Sequence, residues 1–349
     1  MTVGRNSKQV YYPVENGIEV RRGHCEEFFT TKQSHILRLI IENMKILITG
    51  STGLIGTRIT ALLGDKHTFI PLLQSEIDIT DRSSVERRLS NVDFDLLLHL
   101  AAYTNVDGAE KDKELCRKIN VEGTRNLFEA CRGKDRKMIH ISTDFVFDGK
   151  PNDKVLSAEC QVPRAQAEPA NTLGTWDSGL GTHMPTFTES SIPNPISHYG
   201  LTKYEAEQVV KDKAMIVRLS YPYRKEFPDK RDFVRTVKYL LEQGKPLQMV
   251  TDSLITPTFI DDIVNGLDYL ITHYSPEVFH LVGADSMSPY DAGKKIAKEF
   301  KLNEELVQPT TYAEYFKGKA LRPQWARIVS TNKVIQMESF QEGLNKLRS

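Results

Sequence analysis

The residue pair best suited to chemistry is Tyr199 and Lys203, which lie four positions apart in the segment SHYGLTK. Residues four apart share one face of a helix, so we expect the Lys203 ammonium near the Tyr199 phenol. A phenol is a weak acid with a reference pKa of about 10, and a neighbouring positive charge favours its ionised form. Ser142 and Thr143 supply hydroxyl groups upstream, just before Asp144. With a source of hydride, such a set can interconvert a carbonyl and an alcohol.

A glycine turn that can bind a dinucleotide lies earlier in the chain. Gly50, Gly53 and Gly56 follow an apolar strand and open a helix. The first glycine permits a sharp turn, the second lets the backbone approach a pyrophosphate, and the third allows close helix–sheet packing. The helix N terminus adds N–H groups for the phosphates. A tight turn that binds nothing is the alternative, but the strand–turn–helix context favours dinucleotide binding.

The type of dinucleotide stays open between NAD and NADP. An acid at the end of the second strand would bind the ribose of NAD, and an arginine there would favour the phosphate of NADP. The second predicted strand instead ends at Gln74, which offers neither. We expect Asp78 and Ile79 to border the adenine, with a helix-capping role as the alternative for Asp78. Arg82 is a candidate for binding the additional phosphate of NADP.

The elements that position these residues alternate between strand and helix from residue 44 onward. Apolar runs predict buried strands, and apolar residues at helical spacing predict the helices between them. Strands joined by single helices form a parallel, doubly wound α/β sheet with right-handed crossovers, the Rossmann arrangement. Its ligand lies beyond the carboxyl ends of the strands. The predicted strands are Lys45–Thr49, Thr68–Leu73, Phe94–Leu100, Lys137–Ser142 and Met215–Leu219, and the predicted helices are Leu54–Leu63, one around Ser84–Leu89, Lys113–Arg132 and one from the Tyr199/Lys203 pair through Lys211.

Two stretches depart from this alternation. Residues 1–43 are polar and weakly patterned, and we expect an extension that is partly disordered or forms a docked helix, without a catalytic role. Residues 150–188 are rich in Pro, Gly, Thr and Ala, which indicates either a lid over the site or a plain insertion. We assign 44–220 to the dinucleotide-binding domain and 221–349 mainly to a smaller substrate-binding sub-domain. That sub-domain is predicted to contain helices Phe233–Gln243 and Tyr290–Phe300 and short strands Leu247–Val250 and Val278–Leu281.

The composition argues against several classes of function. Lys and Arg number 46, as do Asp and Glu, so neither a nucleic-acid surface nor a polybasic membrane surface is indicated. Four cysteines are scattered without metal spacing, which is typical of reduced structural thiols. No apolar run approaches the roughly 20 residues of a membrane helix. We therefore expect a cytoplasmic protein without a metal, a membrane partner or a nucleic-acid partner.

Taken together, these motifs resemble those of the dTDP-4-dehydrorhamnose reductase family, within the extended short-chain dehydrogenases/reductases. The resemblance covers most of residues 44–340 and includes the GxxGxxG spacing of the glycine turn. It rests on Gly50–Gly56, Asp78–Asp81, Ala101–Asp107, Asn120–Val121, Ser142–Gly149 and Tyr199–Lys203, and it continues through Arg218, Pro257–Thr258 and Arg322–Pro323.

The resemblance implies a reductase that uses NADH or NADPH on the C4 keto group of a nucleotide-linked deoxysugar, with dTDP-4-dehydro-L-rhamnose as the leading substrate. Thr143, Tyr199 and Lys203 would form the catalytic triad. Tyr199 would donate the proton, Thr143 would steady the developing oxyanion, and Lys203 would lower the tyrosine pKa and hold the nicotinamide ribose. The nucleotide sugar is then the partner. The oligomeric state stays open, with a homodimer as one candidate.

The resemblance also implies two sets of binding residues. The cofactor, NAD or NADP, would contact Gly50, Thr52, Gly53, Leu54, Ile55, Gly56, Asp78, Ile79, Ala101, Ala102, Tyr103, Asn120, Ser142, Tyr199 and Lys203. The substrate would contact Thr104, Val106, Thr143, Asp144, Tyr221 and Arg322.

Three positions depart from the family pattern, and two other functions stay open. Phe145 replaces a tyrosine, Tyr221 replaces a tryptophan, and Asp252–Ile255 replaces an Asp-Gln-aromatic-Gly segment. These positions shape the sugar pocket, so the oxidoreductase core is better supported than the choice of rhamnose. One alternative is a non-catalytic subunit that resembles the regulatory subunit of methionine adenosyltransferase. The other is an epimerase or a dehydratase, although a dehydratase would carry an acid pair where this chain has Asp144 and Phe145.

Overall fold

The structure, a computed structural model, describes residues 43–150, 185–332 and 334–348. From Met44 onward the chain forms one compact unit. The predicted N-terminal extension and all but the ends of the predicted 150–188 insertion lie outside the described residues.

A six-stranded sheet forms the centre of this unit. In spatial order it runs β2, β1, β3, β4, β5, β6, with every neighbouring pair parallel. Strands whose side chains are buried on both faces form such sheets, and the near-continuous apolar runs of these strands supply that burial. The order reverses between β1 and β3, which is where ligands bind in sheets of this kind. The strands are β1 Lys45–Thr49, β2 Thr68–Leu72, β3 Leu96–His99, β4 Lys137–Thr143, β5 Met215–Leu219 and β6 Val278–Leu281.

Helices and three short strand pairs surround the sheet. The helices are α1 Gly56–Leu63, α2 Arg82–Ser90, α3 Val106–Lys111, α4 Lys113–Arg117, α5 Gly123–Arg132, α6 His198–Val210, α7 Phe233–Glu242, α8 Ile260–Thr272, α9 Pro289–Glu299, α10 Tyr312–Tyr315 and α11 Phe340–Arg348. Lys118–Glu122 forms a π-helical turn, and Asp144–Val146 and Glu304–Leu306 form 3₁₀ turns. The short pairs join Thr186–Phe187 with Arg327–Ile328, Pro222–Tyr223 with Thr258–Phe259, and Leu247–Val250 with Val307–Thr310.

A second apolar core lies in the C-terminal part of the unit. Helix α7 places Val234, Val237 and Leu241 in it, at the i, i+3, i+7 spacing of one helix face. The N-terminal end of this helix is capped by Asp232, whose carboxylate accepts from the Arg235 backbone N–H at 2.9 Å. This core is separate from the residues that pack the two faces of the central sheet.

Two predicted elements differ in the structure. The prediction that Val278–Leu281 belongs to the smaller sub-domain is wrong, because this strand pairs with β5 and forms an edge of the central sheet. The predicted helix Lys113–Arg132 is present with the same bounds as one continuous helical segment, and it differs from the prediction only by the π-helical turn Lys118–Glu122 between α4 and α5. A π-helical turn changes the hydrogen-bond pattern over a single turn inside an α-helix, and the apolar periodicity of this segment did not predict it.

Candidate active site

The glycine turn after β1 has the shape that a dinucleotide requires. Gly50 has a φ of 67°, in the left-handed region that glycine adopts without a steric penalty. A Cβ on Gly56 would lie 2.2 Å from the Gly50 carbonyl oxygen, so this position accepts only glycine. Thr52 and Gly53 are exposed at the tip, and Leu54 and Ile55 follow half-buried at the start of α1. The residues present therefore fit a pyrophosphate bound against the helix N terminus.

The segment Ala101–Tyr103, which follows β3, forms a second surface of the candidate site, called here the β3 wall. The Thr49 hydroxyl accepts from the backbone N–H groups of Leu100 and Ala101, at 3.1 Å each. The Asn120 side-chain oxygen accepts from the Tyr103 N–H at 2.7 Å, and its amide donates to Thr202 at 3.0 Å. Asn120 is fully buried, so its side chain holds the wall formed by Ala101, Ala102 and Tyr103. Its predicted contact with the cofactor stays a prediction.

The acidic turn after β2 is organised by its own side chains. Asp78 is exposed, and its carboxylate accepts from both the backbone N–H and the hydroxyl of Thr80, at 2.8 Å each. Asp81 rather than Asp78 caps α2, accepting from the Ser83 N–H at 2.9 Å. The helix-capping alternative for Asp78 is therefore wrong. The Ile79 side chain lies close to the α-carbon of Gly123, so its carbon chain is tied to α5.

Helix α6 brings Tyr199 to the end of β4. Ser197 caps this helix by accepting from the Gly200 N–H at 3.1 Å. A Cβ on Gly200 would lie 2.2 Å from the Phe145 carbonyl oxygen, so glycine is what allows α6 to pack directly on the turn after Thr143. Tyr199 is 9% exposed, and the Thr143 hydroxyl is near enough to lower its pKa. The predicted meeting of these two residues is present in the structure.

The electrostatics of Tyr199 differ from the expectation. Burial raises the pKa of its phenol, the Thr143 hydroxyl lowers it in part, and the charges of Asp144 and Cys116 raise it further. The predicted lowering by Lys203 is not seen in the protein alone, where the Lys203 ammonium donates to the Ile141 carbonyl oxygen at 2.7 Å. A phenol that keeps its proton is suited to act as a proton donor.

Lys203 is buried to the same degree as the apolar core. It is 3% exposed, and burial lowers the pKa of its amine to about 8, while the Glu207 carboxylate raises it. Besides the Ile141 carbonyl oxygen, its Nζ has the His140 Nε2 within 3.4 Å. Two neighbours on β4 therefore fix the position of this amine.

Asp144 organises the hydroxyl groups around the triad. Its Oδ1 accepts from the Thr143 hydroxyl at 2.9 Å, and its Oδ2 accepts from the Ser220 hydroxyl at 2.7 Å. Burial raises the pKa of this carboxyl to about 6, and the two hydroxyl bonds oppose that rise. While Asp144 is ionised it holds the only hydroxyl proton of Thr143, so Thr143 presents lone pairs to Tyr199.

Three predicted substrate residues share one neighbourhood. Burial raises the pKa of Tyr221, the Asp144 carboxylate raises it further, and the Arg322 guanidinium lowers it, so these three side chains act on one another. Tyr221 has a φ of 39°, a backbone conformation that non-glycine residues rarely adopt and that marks functional sites. Arg322 donates to both carboxylate oxygens of Asp107, at 2.8 and 3.2 Å. This ion pair joins the C-terminal sub-domain to the segment after β3.

Two further predicted substrate residues lie on that same segment. Thr104 is exposed, whereas Val106 packs against the cluster of Ala109, Cys116 and Tyr199. Val106 therefore packs against the cluster that contains Tyr199.

Ser142 supplies a further sign of a ligand. Its hydroxyl is buried and has no hydrogen-bond partner among the described residues, although buried hydroxyls are normally paired. It precedes Thr143 at the end of β4. An unpaired hydroxyl at this point fits the predicted contact with a cofactor.

Sequence reasoning missed three residues that support this site. These are His140 beside Lys203, Ser220 beside Asp144, and Thr49 behind the β3 wall. Each is a polar residue in or directly after an otherwise apolar strand, and that pattern was the available signal. Asp107 was part of a motif, but its pairing with Arg322 links positions 215 residues apart.

The described residues contain neither a metal-binding cluster nor a membrane-spanning helix. Within those ranges, no cluster of three or more His, Cys, Asp or Glu side chains is arranged to hold a metal ion. Within the same ranges, no helix combines the length and apolar character that crossing a bilayer requires.

The fold and the site together define a nicotinamide-dependent oxidoreductase scaffold of the short-chain dehydrogenase/reductase type. Residues 44–348 match the family described as the RmlD substrate binding domain, and the chain belongs to this family. The predicted family is thereby confirmed.

Individual relatives agree with this assignment. The dTDP-4-dehydrorhamnose reductase of Mycolicibacterium smegmatis is 29% identical over 316 residues, which cover 89% of this chain and 84% of the relative. The dTDP-4-keto-6-deoxy-D-glucose reductase of Streptomyces niveus is 26% identical over 284 residues, covering 80% of this chain and 86% of that protein. The crystal structure of the Bacillus anthracis dTDP-4-dehydrorhamnose reductase in complex with NADP is 28% identical, with a TM-score of 0.72, and the match covers 88% of this chain and 99% of that one. This structural match confirms the predicted fold class.

Proposed function

We propose that this protein reduces the C4 keto group of a dTDP-linked 6-deoxysugar with NADH or NADPH. The leading reaction is the conversion of dTDP-4-dehydro-L-rhamnose to dTDP-L-rhamnose. The observations that support the proposal are the proximity of the Thr143 hydroxyl to the Tyr199 phenol and the buried Lys203 amine, which is bound to the same strand, β4. Two relatives are named for reduction of 4-dehydrorhamnose and one for reduction of 4-keto-6-deoxyglucose, which supports a 4-keto deoxysugar as the substrate class.

The cofactor, when bound, supplies the hydride. The glycine turn Gly50–Gly56 would bind its pyrophosphate, and the segment Ala101–Tyr103 would contact its ribose. The Ser142 hydroxyl would form a hydrogen bond with it. The pyrophosphate assignment follows from the close packing of the glycine turn, where a Cβ on Gly56 would clash with the Gly50 carbonyl oxygen. The Ser142 assignment follows from its unpaired hydroxyl. The protein therefore contributes orientation and electrostatics, as cofactor enzymes generally do.

Tyr199 is the proton donor in this proposal. Burial keeps its phenol protonated, so a proton is available as negative charge develops on the substrate oxygen. Thr143 lies next to it and is tied to Asp144, which fixes the position of its hydroxyl oxygen. Protonation of Asp144 would release the Thr143 hydroxyl hydrogen toward the same oxygen. Lys203, anchored on β4, keeps its remaining N–H for the cofactor ribose.

Substrate selection falls to the residues around Tyr221 and Arg322. Tyr221 carries a hydroxyl where the family pattern has tryptophan, and it faces the charges of Asp144 and Arg322. The site therefore combines a polar sugar pocket with a cation that is suited to a pyrophosphate. We also infer a cytoplasmic location from the biosynthetic relatives, and a homodimer stays a prediction that light scattering can test.

The test is a direct assay with purified protein. NADH and NADPH are each combined with dTDP-4-dehydro-L-rhamnose or dTDP-4-keto-6-deoxy-D-glucose, while nicotinamide absorbance and product mass are followed. We expect one cofactor oxidised for each alcohol formed. Retained cofactor with an epimerised sugar would instead indicate an epimerase, and cofactor binding without turnover would indicate a regulatory subunit.

A further inference from the structure

Two histidines lie side by side inside the central sheet, on the strands that end at the site. His99 closes β3, His140 lies three residues before Thr143 in β4, and the two are register partners. Their ring centroids are 5.4 Å apart, and each residue is 1% exposed. Polar side chains are uncommon in strands whose two faces are both buried. Each imidazole therefore needs a physical explanation.

His99 is explained by its hydrogen bonds. Its Nδ1 lies 2.7 Å from the Thr49 hydroxyl, and its Nε2 lies 3.1 Å from the Thr124 hydroxyl. Both ring nitrogens are thus satisfied by side chains of neighbouring elements. The Thr49 hydroxyl also accepts from the β3 wall, so His99 supports that wall and gives His140 a fixed surface to pack on.

His140 is different, because only one of its ring nitrogens has a partner. Its Nε2 lies 3.4 Å from the Lys203 Nζ, while its buried Nδ1 has no hydrogen-bond partner among the described residues. An ammonium group only donates, so the Nε2 must accept and the ring proton must lie on the Nδ1. Burial lowers the pKa of both imidazoles, that of His99 to about 3, and the Lys203 charge lowers both further. His140 is therefore a neutral acceptor.

We propose that His140 is the positioning residue for Lys203, with its neutral Nε2 and the Ile141 carbonyl oxygen holding two of the three ammonium N–H groups. Both acceptors are adjacent residues of β4, so they fix the amine against a rigid strand. With these two acceptors bound, one N–H of the ammonium remains for a ligand. The catalytic meaning of this arrangement rests on the proposed function, whereas the positioning itself does not. The His140 ring is oriented so that its Nε2 accepts from Lys203, and this orientation leaves its Nδ1 without a partner among the described residues.

The groups that face Lys203 determine the sign of the expected effect. On α6, Glu207 raises the lysine pKa, although Arg218 from β5 pairs with that carboxylate. From α4, Cys116 raises it as well, and from β3 and β4 the two neutral histidines add no charge. Burial opposes the charged amine, and a hydrogen-bond acceptor favours it. Removal of the His140 acceptor should therefore lower the Lys203 pKa further.

The experiment compares His140→Met, which removes the acceptor, with His140→Gln, which keeps an acceptor oxygen at a similar reach. Lysine NMR gives the pKa of Lys203 directly, and the signal is assigned by its loss in Lys203→Met. We expect His140→Met to lower this pKa by about one pH unit, the equivalent of one hydrogen bond to a charged group. His140→Gln should stay close to the native value.

A matched control is His67, which is 3% exposed and pairs with Asp268, away from the site. His67→Gln and His67→Met should leave the Lys203 pKa unchanged even where they lower the melting temperature. A native Lys203 pKa in folded His140→Met would overturn the positioning role. Equal losses in His140→Gln and His140→Met would also overturn it, because they would show that ring packing, not the acceptor, matters.

Kinetics give a second, independent readout. In His140→Met we expect kcat to fall about tenfold, the alkaline limb of the pH profile to move down by about one pH unit, and the sugar KM to change less than about twofold. An unchanged pH profile in that variant would count against the proposal. A shifted lysine pKa in a protein whose native form reduces no keto sugar would support the positioning role and refute the proposed reduction.

Discussion

At Gly200, the addition of a single methyl group should move Tyr199 away from Thr143. A Cβ there would lie 2.2 Å from the Phe145 carbonyl oxygen, whereas carbon–oxygen contacts normally begin near about 3.3 Å. Gly200→Ala therefore has to move α6 away from the turn after Thr143 by about 1 Å. Tyr199 is the adjacent residue and moves with the helix. Because a misplacement of about 1 Å can cost about a hundredfold in rate, we expect kcat to fall by that order.

The assay is initial-rate kinetics with the dTDP-4-keto sugar and saturating cofactor, together with thermal unfolding. Alanine favours a helix over glycine by about 1 kcal/mol, whereas overpacking costs about 1–3 kcal/mol, so the melting temperature should fall modestly and kcat is measured below the unfolding transition. Gly133→Ala is the matched control, because its Cβ would meet only ordinary contacts at 3.6 Å. A native kcat in Gly200→Ala, with Gly133→Ala also native, would refute the idea that this close approach positions Tyr199.

Three further predictions follow from the same site. Tyr199→Phe should lose at least about a hundredfold in kcat, the scale of general acid catalysis, while cofactor affinity measured by fluorescence changes little; near-native turnover would remove Tyr199 from its role. Burial raises the pKa of Asp144 from 3.8 to about 6, so the folded state keeps a proton that the unfolded chain has released, and stability falls as pH rises through this window. Asp144→Asn removes that dependence and should gain up to about 3 kcal/mol relative to the native protein between about pH 4 and about pH 8, at about 1.4 kcal/mol per pKa unit; parallel denaturation curves at both pH values would contradict it. Arg322→Lys loses the fork that pairs with Asp107 and should raise the KM for the nucleotide sugar about tenfold with a smaller change in kcat; an unchanged KM would show that Arg322 only joins the two parts of the unit.

Much of the fold could be predicted from local sequence. The strand before Gly50 and the strand that ends at Thr143 were found within one residue of their observed ends, since apolar runs bounded by turns mark buried strands. The edge strand Val278–Leu281 was also found, but its place in the sheet was not. Whether a segment forms a strand depends on its local residue types. The place of that strand in the sheet depends on how the chain around α8 packs against the rest of the protein.

The site divides in the same way. The four-residue spacing of Tyr199 and Lys203 predicted that both lie on the same face of one helix. It did not show that Lys203 would bond to Ile141 and His140 on β4, because that contact joins residues 62 and 63 positions apart. The predicted lowering of the Tyr199 pKa by Lys203 is not seen in the protein alone. A side chain's partner depends on which strand the helix packs against, and local spacing carries no such information.

The π-helical turn between α4 and α5 connects the segment after β3 with helix α6 through hydrogen bonds of Asn120. It places Asn120 where its side chain accepts from the Tyr103 N–H and donates to the Thr202 hydroxyl, and Thr202 in turn donates to the Tyr199 carbonyl oxygen at 2.9 Å. Turns of this kind concentrate at functional sites. A fully satisfied buried network of this sort is rigid and strengthens each of its bonds. These hydrogen bonds connect the Tyr103 backbone N–H to the Tyr199 backbone carbonyl oxygen, so we expect a change at Tyr103 to affect the position of Tyr199.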